Sequence, residues 1–152
     1  MISITQYWMG RDKVYASELT LAVRNNALRT VTAVNVALGM FAKETGIVLT
    51  QVASGWRPVD VNCETSNAAE HSRHITGEAC DIHDTPNRDF ARWCCRNQSA
   101  LAKIGLWLER FEWTPSWVHM QKVPPQSGRR IYVTSVAPAK CARLPEQDQF
   151  NC

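Results

Sequence analysis

Nowhere in this 152-residue chain does an apolar stretch approach the roughly 20 residues that a membrane span needs, so stable membrane insertion is not expected. The opening residues, Met1 to Trp8, lack the basic start, long apolar run and small-residue cleavage site of a secretory signal. The expectation is a protein made in the cytoplasm and carried to any outside target by another agent. Basic residues form no run either: 17 Lys and Arg against 14 Asp and Glu leave a net charge of +3, scattered along the chain. That excludes the usual electrostatic footprint of nucleic-acid binding and allows only a mild attraction to an anionic polymer. There is no low-complexity segment, no internal repeat and, among six cysteines, no C-x-x-C pair, so a thiolate zinc site is not expected. Reduced thiols are the default, with a Cys141 to Cys152 bridge as the leading exception.

What is present is ordinary globular material: 45% apolar and 20% charged residues can build one core, and 152 residues are too few for two comfortable domains. One domain over 1–152 is expected, as a monomer. Val31, Val34, Leu38 and Phe41 recur at helical spacing and predict a helix from about Ala22 to Thr45, stopped by Gly46. The β-branched run Ile47 to Ala53 predicts a strand ending at the Ser54-Gly55-Trp56-Arg57-Pro58 turn, and the polar residues Asp60 to His71 predict a loop. Thr85-Pro86 reads as a helix start, with Glu78 and the neighbouring Asp84 solvated, and a second helix of about 87–103 follows. Leu106 to Leu108 and Trp117 to Gln121 predict a hairpin with a longer loop, Ile131 to Thr134 a last strand, and the tail after Pro138 loose packing. The order favours an α+β class, a small antiparallel sheet with flanking helices.

The chemistry concentrates in Ser72-Arg73-His74-Ile75-Thr76-Gly77-Glu78-Ala79-Cys80-Asp81-Ile82. A turn at Gly77 can swing His74 back toward Asp81, and imidazole nitrogen and carboxylate oxygen are both good zinc ligands. A catalytic site needs a third protein ligand, and His119 in Trp117-Val118-His119-Met120-Gln121 is the natural one, its ring facing the side that Trp117 and Gln121 face.

The joint pattern S-x-H-x-x-G-x-A-x-D, preceded by S-G-x-R-P and followed by W-x-H, resembles the zinc D-alanyl-D-alanine carboxypeptidase and L-alanoyl-D-glutamate endopeptidase family. The likeness runs from about Ile2 to Val133 and is greatest to small phage and prophage members, which also resemble Tyr7 to Asp12, Gly105 to Glu109 and Pro124 to Arg130. It implies a fold shared with the hedgehog signalling domain, one zinc ion per chain held by His74, Asp81 and His119, and bacterial peptidoglycan stem peptides as substrate. It also implies that Ser72 and Arg57 lie near that substrate. A guanidinium fork can pair a stem-peptide carboxylate in two bonds, the alternative being a structural ion pair.

The sequence departs from better-known members at the general base. They place a Glu three residues before the last His, and that position is Ser116 here. In a hairpin whose loop spans Arg110 to Pro115, Glu109 is expected directly across from Ser116 and so becomes the favoured base, as the small phage members suggest, with Glu112 as the alternative. The competing readings are a zinc-holding domain that grips peptidoglycan or a protein without cutting it, and a Cys hydrolase built on Cys80 with His74 or His119. His71 and His83 are expected at the surface or behind the ligands, and Trp56 or Trp117 could line a substrate groove.

Overall fold

The computed structural model describes residues 1–132. Its longest element is a helix at Leu21–Thr45, here α3 because two short helices, α1 at Ile4–Trp8 and α2 at Arg11–Val14, precede it. Thr20 caps α3 by accepting from the Val23 amide, and Gly46 ends it in the left-handed conformation. The predicted apolar spacing becomes a buried face of Ala27, Val31, Val34, Leu38 and Phe41, joined by Thr30. Phe41 meets the rings of Phe90 and Trp93 at 5.1 and 5.9 Å between centroids, a contact whose loss in Phe41→Ala would cost roughly 3–5 kcal/mol.

Among the described residues five strands make one sheet: β1 at Val52–Ser54, β2 at Ala79–His83, β3 at Trp107–Glu109, β4 at Trp117–Gln121 and β5 at Ile131–Tyr132, in the spatial order β1-β2-β4-β3-β5. Neighbours are antiparallel except β3 and β5, which run parallel, so the sheet is mixed and not purely antiparallel as predicted. Strand alternation divides the faces cleanly. Cys80, Ile82, Leu108, Val118 and Met120 enter the core beneath the helices, while Asp81 and His119, paired across β2 and β4, take the opposite face.

The class is therefore α+β, with several local departures from expectation. Pairing in β1 begins only at Val52. Ile47 and Leu49 pack on the core from an unpaired segment, which their apolar character alone could not distinguish from a strand. The polar stretch after Arg57 is not all loop, because Val59–Glu64 forms a helix, α4. The predicted helix of 87–103 is two: α5 at Asp89–Arg96 and α6 at Gln98–Lys103, broken at Asn97, whose side-chain amide donates to the Trp93 carbonyl and competes with the helical ladder. Asp84, expected to be solvated, has a fully buried side chain that accepts from the Phe90 and Ala91 amides and so caps α5 from outside; Thr85 Oγ1 takes the Asp89 amide. Glu78 is largely covered too, held by Thr76 and Arg73. Cys63, Cys80 and Cys94 are free thiols. Cys95 is disulfide-bonded, against the reduced default. The expected Cys141 to Cys152 bridge, Val133 and Thr134 of the last strand and the tail lie outside the described residues. No helix among the described residues is long and apolar enough to cross a membrane.

Candidate metal centre

The two glycines of the recognised motifs are required by close approach. A Cβ on Gly55 would lie 1.8 Å from the Tyr7 carbonyl oxygen, so only glycine lets the turn after β1 sit against α1. Gly77, at φ +77, turns the chain into β2, and a Cβ there would lie 2.7 Å from the Val23 carbonyl oxygen. Between these points the backbone is tied down. The His74 carbonyl accepts from the amides of Arg57 and Gly77, and Ser72 Oγ accepts from the His74 amide at 3.3 Å. Ser72 is thus a residue that shapes the His74 turn.

His74 is buried, and its Nδ1 donates to the Gly55 carbonyl at 2.7 Å. That bond fixes the tautomer and leaves Nε2 to face the centre. Across the ladder, His119 Nδ1 lies 2.7 Å from Asp81 Oδ1, and His74 Nε2 lies 3.3 Å from both Asp81 Oδ2 and His119 Nδ1. One donor atom from each of the three lies within 4.8 Å of the others. Two imidazole nitrogens and a carboxylate oxygen, gathered at a buried point from a turn and two strands, are a donor set that suits a divalent first-row metal.

The electrostatics agree with that use. Burial resists ionisation of Asp81, yet the two imidazoles beside it hold its carboxyl far below the ordinary carboxylate range. Burial lowers the proton affinity of His74. Burial acts on His119 in the same sense, but the charge of Asp81, its hydrogen bond and the charge of Glu109 outweigh it and raise the value.

Arg57 is nearly buried, with Nε on Ser54 Oγ at 2.8 Å and Nη2 on Asp81 Oδ2 at 3.0 Å, so the ion-pair alternative is realised through a member of the cluster itself. Glu109 does not lie across from Ser116. The pairs Trp107 with Gln121 and Leu108 with Met120 set a register that brings Glu109 level with His119, on the same face, and Tyr132 follows in β5. One row thus crosses the whole sheet: Ser54, Asp81, His119, Glu109, Tyr132. Glu112 is in a 3-10 turn at Phe111–Trp113 with Arg110 taking its carboxylate at 2.9 Å; part-burial opposes ionisation, but the guanidinium prevails and lowers its pKa.

His71 and His83 are exposed. Trp56 is a core residue, edge-on to Trp8 with its indole N–H on the Ile75 carbonyl; it borders a surface pocket with Glu18, Val23, Val59 and Thr76 that includes no member of the cluster, whereas Trp117 is partly exposed. Cys80 points into the core away from the cluster, and burial, aided by the charge of Asp81, pushes its thiol well up, which removes the basis for a Cys nucleophile. Sequence reasoning missed the site roles of Gln121 and Tyr132. Gln121 Oε1 lies 3.4 Å from His119 Nε2 and accepts from the Tyr132 hydroxyl at 2.6 Å. The i, i+2 spacing of His119 and Gln121 was the available signal for the first; nothing local marked Tyr132. No family model, curated protein or solved structure matches the chain.

Proposed function

We propose that the chain is a zinc-dependent peptidase of the hedgehog-like type that hydrolyses an amide bond in bacterial peptidoglycan, as the small phage and prophage enzymes that its motifs resemble do. The reading rests above all on the buried His74, Asp81 and His119 cluster, whose two imidazoles have their second nitrogens tied off by Gly55 and Gln121. These three residues would hold the ion. Bound zinc supplies an activated water near neutral pH and a polarised carbonyl.

The rest of the chemistry falls to the chain's own groups. Glu109, level with His119, is placed to take a proton at its carboxylate and return it to the leaving amine. Asp81 stays ionised because His74, His119 and Arg57 surround it. Arg57 borders the same face and can turn a remaining N–H toward a stem-peptide carboxylate, beside Ser72. In this reading the protein acts as a monomer, without nucleic acid, as an endolysin-type enzyme that reaches the wall through another agent.

Incubating the protein with purified peptidoglycan and identifying released fragments by mass spectrometry tests the cut and names the bond. Metal analysis of the wild type and of His74→Ala should return about one zinc per chain and nearly none. A zinc-loaded protein that sediments with peptidoglycan but releases no fragment would establish the non-cutting reading instead.

A further inference from the structure

We infer that Gln121 and Tyr132 are positioning residues that fix His119 in the Nε2–H tautomer, so that Nδ1 is the atom it offers to a divalent metal ion. The inference rests on the cluster being a metal centre, but its geometry is separate from the ligands themselves. Gln121 is buried at 6% exposure, and its amide leaves little freedom. Its Nε2 donates to the Val123 carbonyl, which settles which end of the amide is which. Oε1 then faces the other way and can only accept. It accepts from the Tyr132 hydroxyl at 2.6 Å and is the polar atom opposite His119 Nε2 at 3.4 Å, so that nitrogen must carry the hydrogen. The Tyr132 ring stands edge-on to the imidazole, 6.5 Å between centroids.

The choice of amide over carboxylate has a physical reason. His119 already lies beside the Asp81 carboxylate and within the field of Glu109. A third negative group behind the ring would crowd charge into a buried site, whereas an amide oxygen orients the ring without adding any. The short Tyr132 to Gln121 bond matters because the Gln121 to His119 contact is long: the hydroxyl holds the amide in place against the weaker pull of the imidazole.

The test uses the full chain and zinc alone, with affinity read by competition against a chromophoric chelator and the tautomer by long-range proton–nitrogen NMR of the zinc-loaded protein. The wild type should show zinc on His119 Nδ1 and hydrogen on Nε2. Gln121→Met, which keeps the shape and removes the acceptor, should bind zinc about 10- to 100-fold more weakly. Tyr132→Phe, which removes a single oxygen and keeps the ring, should shift affinity in the same direction by a smaller factor, and it decides the matter if Gln121→Met does not fold. Unchanged zinc affinity in Gln121→Met and Tyr132→Phe, or zinc on Nε2 in the wild type, would overturn the inference and leave the peptidase reading standing. A wild type that binds no zinc at all would overturn both.

Discussion

The role proposed for Glu109 rests on register. Its carboxylate is set beside the pair Asp81 and His119 because β3 pairs with β4 as Trp107 to Gln121. Glu109→Gln should therefore lose most turnover while keeping zinc and fold, and Glu112→Gln, whose wild-type carboxylate is bound by Arg110, should stay near wild type. Fragment-release rates beside metal content and melting curves check this; the opposite ranking would move the base to Glu112. Arg57 carries a double burden. With its guanidinium on both Ser54 and Asp81, Arg57→Ala should lower melting temperature as well as activity, since removing one partner of a nearly buried pair costs on the order of 3 kcal/mol, more than the few tenths of a surface change. Calorimetry of the metal-free proteins reads that cost, and an unchanged melting temperature would return Arg57 to a purely substrate-facing role.

Among the elements, α5 is held by a residue outside it. Asp84 accepts from the amides of Phe90 and Ala91 and pairs with Arg88, which in turn donates to the Thr114 carbonyl, so one carboxylate joins the helix to the approach of β4. Asp84→Ala should cost about 2–3 kcal/mol, the loss of a cap plus the loss of one carboxylate partner of a nearly buried guanidinium, and lower the melting temperature by several degrees, while Asp89→Ala at the part-exposed start of the helix should cost less. Elements long enough to show a period were legible in the sequence. The 25 residues of α3 match the expected span to within a residue of each end, and the strand carrying His119 has its expected bounds, Trp117–Gln121. Helices of four to six residues, such as α1, α2 and α4, are too short to repeat a period, so the sequence pattern does not announce them. The meeting of His74, Asp81 and His119 was legible because each lies beside a turn or in a strand that aims it. Glu109 is expected across from Ser116, but β3 and β4 pair three positions out of that register, which sets it level with His119 instead. Tyr132 was invisible as a site residue, since a parallel neighbour for β3 leaves no local trace.

For the molecule as a whole, the cluster makes stability depend on pH when no metal is bound. The depressed Asp81 carboxyl contributes stability above its unfolded value of about 3.9, and that contribution is lost as pH falls through it toward the folded value. The raised His119 contributes below about 6.5 and loses its contribution as pH rises further, whereas the lowered His74 contributes above about 6.5 and loses as pH falls, so the two imidazoles largely oppose each other. The chelator-treated protein should accordingly melt at steeply lower temperature below about pH 4, and Asp81→Asn should flatten that fall. The row that crosses the sheet has a kinetic consequence as well. Its members run from residue 54 to residue 132, and His119 is 45 positions from His74, so the three-residue cluster is complete only once β2 has paired with β4. If the proposed ion binds there, its capture by all three residues follows the distant pairings that slow folding most, and it weights only the finished native basin by mass action. In stopped-flow refolding, collapse should precede ion uptake, and at saturating ion the uptake rate should cease to depend on ion concentration because chain closure, not encounter, sets the pace.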